Sequence, residues 1–185
     1  MFRNALIPCL GMVLLVLSCK SPEARRPEQR STGTFIKESA ERNKALYEQE
    51  EAFITKLIAQ DTSRTYSASP SGFWYAYQVQ DTLASPLPKF GDEVVFTYDV
   101  RRLDGSIVLS QEDTGIQNYV IDQTNQDLIS GLRDGLKLMK AGETVDFIFP
   151  SYKAYGYYGI ENKLGTNVPV QSTVTLQSLK QTLEN

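Results

Sequence analysis

The C-terminal half of the chain alternates apolar and polar residues with the period of a β-strand, and one helical segment interrupts the alternation. Asp127 gives this segment an acidic start and Gly142 a C-cap, while apolar residues recur between them at helical spacing, which predicts a helix over 125–140. Several strands around one short helix predict an antiparallel α+β domain, whose sheet has one face on the helix. The predicted strands are 73–80, 93–102, 107–110, 118–122, 143–150 and 172–180.

A second helical pattern precedes the sheet. Apolar residues recur at spacings of four and seven from Ile36 to Ile58, with Glu38 and Arg42 as a supporting ion pair one turn apart. This apolar stripe extends over 34–60 and predicts an amphipathic helix over 34–62. Residues 63–85 follow as a linker and leading strand. The helix either packs on its own domain or binds a partner, as a homodimer or with another envelope protein.

The first residues have the pattern of an export signal. Arg3 precedes an apolar stretch over 4–18, which is shorter than the ~20 residues of a membrane-spanning helix. The sequence "VLSC" that ends at Cys19 resembles a bacterial lipobox. That resemblance implies a lipoprotein signal peptide over 1–18 and attachment to the membrane through a lipid on Cys19. The alternative is an uncleaved N-terminal anchor.

The segment 19–33 begins at the lipobox cysteine and contains no large apolar side chain. It carries two prolines and several charges, a composition that cannot bury enough surface to offset the entropy of ordering. We therefore expect a flexible tether between the membrane and the rest of the protein.

The chain contains no histidine, and its two cysteines are Cys9 and Cys19. These absences exclude a catalytic triad based on histidine and an imidazole metal site. A formal net charge of -3 provides no general attraction to nucleic acid. We expect no cofactor, no metal and no nucleic-acid partner.

The stretch "PSYKAYGYYG" over 150–159 holds four tyrosines and two glycines. Glycine marks turns and tyrosine is common at strand ends, so composition alone favours a surface loop. The alternative is the rim of a binding site.

The order of motifs over 86–180 resembles the FKBP-type peptidyl-prolyl isomerases, and we place the domain at 86–183. "GD.V...Y" opens a strand and "DG" lies in the next turn. "I.GL..GL..M..GE" spans the helix and its cap, "P...AYG" follows the next strand, and "VP..STV" precedes the last strand. With the lipobox, "GFWYAY" ahead of the domain resembles the FKBP-like lipoproteins associated with gliding motility in Bacteroidetes-type bacteria.

The resemblance implies an antiparallel sheet wrapped around one short helix, with a proline pocket between them. Three catalytic positions carry over. Tyr98 matches the strand tyrosine at the pocket wall, and Ile129 matches the residue whose N–H faces a carbonyl of the bound peptide. Tyr155 matches the tyrosine whose hydroxyl forms a hydrogen bond to the ligand.

Seven further residues carry over as substrate-binding positions. Some depart from the family pattern: Val108 and Leu109 replace an aromatic residue and an aspartate, Leu132 replaces an indole, and Leu176 replaces an aromatic residue in the last strand. These changes keep the cavity apolar and remove ring surface and a carboxylate. The seven positions are Val108, Leu109, Tyr119, Leu128, Leu132, Val168 and Leu176.

The resemblance implies a lipid-anchored peptidyl-prolyl cis-trans isomerase that faces the periplasm. Its clients would be proline-containing polypeptides, namely exported envelope proteins, among them components of the gliding machinery. An alternative is a binding or chaperone module of an envelope complex with weak or no catalysis. A third hypothesis makes the helix over 34–60 a dimer or assembly element and the domain a spacer.

Overall fold

The computed structural model describes residues 32–123 and 127–182, with side chains from residue 35 onward. The chain divides into two units, Met1–Glu38 and Ser39–Asn185. A long helix, α1 (Thr32–Gln60), runs across this division and begins two residues before its predicted start. The predicted signal peptide, most of the predicted tether and Cys19 lie outside the described residues.

The second unit is an α+β structure in which one antiparallel sheet surrounds a short helix, as predicted. The sheet order is β1-β2-β7-β8-β3-β6, with β4 paired to β8 and to β5. After α1 the elements are β1 (Ser67–Ser69), β2 (Phe73–Val79), β3 (Glu93–Tyr98), β4 (Val100–Arg102), β5 (Ile107–Leu109), α2 (Gln111–Thr114), β6 (Gln117–Val120), α3 (Ser130–Leu136), β7 (Thr144–Phe149), a 3-10 turn (Ser151–Lys153) and β8 (Val170–Lys180).

Strand β8 connects the parts of the sheet, because it pairs with β7, β3 and β4. Its first seven residues alternate between buried and half-buried side chains, with Val170, Ser172, Val174 and Leu176 buried. This period of two places the four buried side chains on one face, and the three valine and leucine residues among them belong to the hydrophobic core.

Helix α3 packs directly on β7 at two glycines one turn apart. A Cβ atom on Gly131 would overlap the Phe149 ring, and one on Gly135 would lie 3.0 Å from the Phe147 ring. Phe147 and Phe149 are themselves fully buried and stacked on each other, with 5.4 Å between ring centroids. The absence of side chains at the two glycines therefore sets the distance between helix and sheet.

The predicted helix over 125–140 is wrong in length, because α3 has only seven residues. Ile129 has a ψ of 147°, which is extended, so Asp127 and Leu128 precede the helix. At the other end, the Leu138 and Met139 N–H groups bond to carbonyls three residues back, which is a tighter turn than an α-helix. Met139 is nevertheless fully buried, so core packing extends the apolar pattern past the helix.

The predicted strand over 93–102 is interrupted at Asp99, which separates β3 from β4. The Asp99 carboxylate accepts a hydrogen bond of 2.8 Å from the Thr173 N–H on β8. A side-chain acceptor thus joins the ladder at this point, an arrangement that alternation of apolar residues does not reveal.

The C-terminal part of α1 lies on the face of the sheet opposite α3. Ile148 sits between Phe147 and Phe149 on β7 and so points away from α3. It lines a cavity of about 290 Å³ together with Leu57 and Ile58 of α1. Ile54 is completely buried, so this part of the helix packs on its own domain.

Within the part of the chain that the structure describes, no helix combines the length and the apolar character needed to cross a membrane.

Replacing Gly131 by alanine should lower the free energy of unfolding by about 2 kcal/mol. The new methyl group would overlap a fully buried ring, and overpacking of this kind costs about 1–3 kcal/mol, occasionally more, against a gain of about 1 kcal/mol in helix propensity. The midpoint of urea unfolding measures the change. Gly165→Ala is the matched control, since the nearest atom to its Cβ lies at 3.8 Å. Equal midpoints for Gly131→Ala and the parent would contradict the packing argument.

Candidate functional site

All ten residues predicted at the pocket lie in or against a single apolar cluster between α3 and the sheet. Four of them are buried members of that cluster, and six are half-buried residues packed against it. The structure therefore brings the ten together, while their roles stay predictions. The buried four are Val108, Tyr119, Leu132 and Leu176, and the half-buried six are Tyr98, Leu109, Leu128, Ile129, Tyr155 and Val168.

Tyr98 and Tyr155 are neighbours, although 57 positions separate them in the chain. Tyr98 is the last residue of β3, and its burial raises the pKa of its phenol. Burial, followed by the proximity of Tyr98, raises the pKa of Tyr155 well above the usual tyrosine value. Both phenols therefore stay protonated near neutral pH and act as neutral hydrogen-bond donors.

The backbone around Tyr155 is fixed by hydrogen bonds on both sides. Ala154 and Gly156 flank this tyrosine, and both donate their N–H groups to the Ser151 carbonyl, at 3.1 and 2.9 Å. Gly156 has a φ of 53°, in the left-handed region that glycine adopts without strain. Its carbonyl in turn accepts from the Asn167 N–H at 2.7 Å, which joins the Tyr155 turn to the segment before β8.

The four tyrosines of the stretch over 150–159 differ in exposure. Tyr155 faces the cluster and Tyr152 is half-buried, whereas Tyr157 and Tyr158 are 75% and 92% exposed. The stretch is therefore a surface loop, and one of its tyrosines also packs against the apolar cluster.

Ile129 lies at the start of α3, where helical N–H groups have no partner inside the helix. Its carbonyl accepts from the Arg133 N–H at 3.2 Å. Within residues 32–123 and 127–182, the Ile129 N–H donates to no protein acceptor. Among the described residues, no acceptor competes with a carbonyl oxygen from outside the chain for this N–H.

The residues that depart from the family pattern form an apolar base for the site. Leu132 and Leu176 are 1% and 0% exposed, so they lie beneath the residues that solvent reaches. Val108 is buried and Leu109 half-buried on β5. At these four positions the base consists of aliphatic side chains.

Tyr119 lies on β6 with 5% of its surface exposed, and among residues 32–123 and 127–182 its hydroxyl has no hydrogen-bond partner. Burying a hydroxyl without a partner costs about 1–3 kcal/mol. Tyr77 provides a contrast, because its hydroxyl donates to the Leu138 carbonyl at 3.0 Å.

Sequence reasoning missed Glu50, which contacts the turn that carries Tyr155. The Glu50 carboxylate on α1 accepts hydrogen bonds from the N–H and the hydroxyl of Ser151. A glutamate on the apolar stripe of the helix is detectable from the sequence, since position 50 lies three residues after Tyr47 and four before Ile54. The identity of its partner, 101 residues away, was not detectable.

Comparison with known proteins gives a consistent result. A family model described as FKBP-type peptidyl-prolyl cis-trans isomerase matches residues 85–177. The chain is 30% identical over 134 residues to a probable FKBP-type peptidyl-prolyl cis-trans isomerase FkpA of Neisseria meningitidis, a match that covers 72% of this chain and 46% of that protein. It is 29% identical over 146 residues to the outer membrane protein MIP of Legionella longbeachae, covering 79% and 60%. The chain thus spans about half the length of these curated relatives.

Two solved structures share the fold. A peptidyl-prolyl cis-trans isomerase from Pseudomonas syringae pv. tomato superposes with a TM-score of 0.58 at 23% identity, covering 75% of this chain and 96% of that one. FkpA from Escherichia coli gives a TM-score of 0.57 at 21% identity, covering 97% and 83%.

Tyr119→Phe should raise the free energy of unfolding by about 1 kcal/mol, because it removes a buried hydroxyl that has no partner. Tyr77→Phe should lower it by about 1 kcal/mol, because the Leu138 carbonyl loses a donor. Urea unfolding of the two variants beside the parent tests both signs. Destabilisation by Tyr119→Phe would mean that its hydroxyl has a partner in solution.

Proposed function

The chain belongs to the FKBP-type peptidyl-prolyl cis-trans isomerase family, and from this premise we propose that it catalyses rotation about X-Pro bonds in polypeptides. The site is the apolar cluster between α3 and the sheet. One observation carries the proposal: Tyr98, Ile129 and Tyr155 come from three separate segments and pack against the same cluster.

The reaction needs neither a nucleophile nor a metal. Resonance between nitrogen and carbonyl sets a rotation barrier of ~18–20 kcal/mol, and twisting the bond destroys that resonance. The twisted amide has less charge separation than the planar one. An apolar, water-poor cavity that holds the proline ring therefore favours the twisted form, which is catalysis by differential binding.

The three residues would hold the peptide while the bond turns. The Tyr155 hydroxyl would be a neutral donor at the apolar cluster, and the Ile129 N–H is a second donor at the start of α3. Both would bind carbonyl oxygens of the substrate, which fixes the flanking chain relative to the rotating bond. The Tyr98 ring contributes apolar wall, since it packs against the core together with Phe96.

The second candidate is a binding or chaperone module with weak or no catalysis. The observation that favours it is the aliphatic base of the site, where Leu109, Leu132 and Leu176 replace a carboxylate and two rings. Aromatic pairs contribute about 0.5–1.5 kcal/mol beyond their buried area, so a proline ring would bind less tightly here. Such a pocket still holds a proline-containing segment without accelerating its rotation.

Localisation, anchoring and clients extend this proposal. The lipobox-like "VLSC" supports a lipid on Cys19 and attachment to a membrane, and a relative named as an outer membrane protein supports an envelope location. The clients would be exported envelope proteins, among them gliding-machinery components. A homodimer or an envelope partner would bind the N-terminal part of α1, where Phe35 and Ile36 are 69% and 65% exposed.

Tyr155→Phe should lower kcat/KM for a proline-containing peptide about tenfold, because one substrate hydrogen bond of about 1.4 kcal/mol is lost. A protease-free isomerisation assay on the parent and the variant measures the change. A Val108→Phe, Leu109→Asp double variant separates the two candidate functions. If the parent shows no isomerase activity and the double variant does, the isomerase proposal is wrong and the binding-module proposal is supported.

Activity should not change between about pH 6 and about pH 9. The chain has no histidine, and the pKa values of Tyr98 and Tyr155 are raised above the ordinary value of about 10, so neither phenol loses its proton in this range. A profile of kcat/KM against pH tests this. A sigmoid with a midpoint near pH 7 would show that an ionising group outside the proposed set takes part.

A further inference from the structure

We propose that Glu50 on α1 is a positioning residue for Tyr155 and acts through Ser151. The inference rests on the proposed isomerase site for its catalytic consequence, while the contact itself is independent of it. It assigns to the N-terminal helix a role inside the pocket domain, apart from any partner that the helix binds.

Glu50 is a buried carboxylate whose two oxygens both bind Ser151. It is 7% exposed, and Ser151 is 0% exposed. Oε2 accepts from the Ser151 N–H at 2.8 Å, and Oε1 accepts from the Ser151 hydroxyl at 2.7 Å. Hydrogen bonds to an ionised acceptor are stronger than neutral ones, and two of them fix both the position and the orientation of Ser151.

Ser151 passes this restraint to Tyr155 through its carbonyl. That oxygen accepts the N–H groups of Ala154 and Gly156, the two residues that flank Tyr155. Glu50 therefore holds one side of Ser151 while the other side of the same residue holds the backbone around the tyrosine. Two hydrogen-bonded steps connect the helix to the phenol-bearing residue.

The turn is also held from the pocket side. Lys153 forms an ion pair with Asp134 of α3 at 2.9 Å. On the α1 side the rings of Tyr47 and Tyr152 contact, with centroids 4.8 Å apart. The turn that carries Tyr155 thus lies between α1 and α3, and Glu50 provides the directional part of the α1 contact.

The position of Tyr155 matters because a hydrogen-bond donor works only within about 2.6–3.2 Å of its acceptor. A misplacement of about 1 Å by a distant substitution costs up to about a hundredfold in rate. If Ser151 were less restrained, the Tyr155 hydroxyl would still be present but would occupy a wider range of positions.

The test uses Glu50→Gln in the full chain. Glutamine has nearly the same size. Its amide oxygen accepts from the Ser151 N–H and its NH₂ group donates to the Ser151 hydroxyl oxygen, so both hydrogen bonds lose the negative charge that strengthens them. Glu48→Gln is the matched control, because it removes the same charge from the same helix at a side chain that is 67% exposed. Each substitution is made in the parent and in Tyr155→Phe.

Two readouts are needed. The first is amide hydrogen exchange at Ser151 and Gly156, with Val174 in the β7–β8 ladder as the reference for global stability. The second is kcat/KM, compared as a double-mutant cycle between positions 50 and 155.

We expect Glu50→Gln to speed exchange at Ser151 and Gly156 about tenfold relative to Val174, and to lower kcat/KM about tenfold in the parent with no further loss in Tyr155→Phe. Glu48→Gln should change neither readout. Unchanged exchange at the turn, equal acceleration at Val174, or the same loss of activity in both backgrounds would overturn the proposal. If the parent is not an isomerase, the proposed function fails alone, and the exchange rates still decide the role of Glu50.

Discussion

The close approach of α3 to β7 is the constraint on which the pocket depends. Gly131 and Gly135 lie one turn apart and meet the rings of Phe149 and Phe147, at distances that leave no room for a Cβ on Gly131. Because the helix lies this close to the sheet, residues at its start pack against the same apolar cluster as Tyr98 and Tyr155. Ile129 and Leu132 therefore become part of the same cluster as residues from β3, β5 and β8. The glycines of "I.GL..GL" thus set the depth of the site.

The chemistry of the site follows from this dry packing. Burial raises the pKa of both phenols, so they keep their protons and remain available as neutral hydrogen-bond donors. The rest of the cluster consists of aliphatic and aromatic side chains. A reaction that consists of rotation about a bond suits such a site, since proton transfer and nucleophilic attack would require ionisable groups there. The same packing also suits simple binding of a proline ring. The aliphatic side chains at Leu132 and Leu176 would therefore affect the proposed rate of X-Pro rotation more than the fold.

The sequence predicts the sheet well and its interruptions poorly. Alternation of period two marks the first part of β8, whose burial follows that period, whereas β7 is buried at five consecutive residues. The structure confirms the α+β class. Apolar spacing overestimates α3, because Met139 is buried from a turn rather than from the helix. The break at Asp99 depends on a bond to Thr173 on another strand. Contacts between distant segments, such as Glu50 with Ser151, follow from the folded chain and not from local pattern.

The carboxylate at position 50 is informative because it is unfavourable on its own. The stripe of α1 that packs on the sheet is otherwise apolar, and a leucine there would bury its side chain without removing a charge from water. Replacing buried polar pairs by apolar residues is often neutral or stabilising, so stability alone does not account for a glutamate at this site. What a carboxylate adds is direction, since its two oxygens fix one residue in both position and orientation. That residue is Ser151, whose carbonyl accepts the hydrogen bonds of the Tyr155 turn. The buried charge of Glu50 therefore lies where it restrains the turn that carries Tyr155.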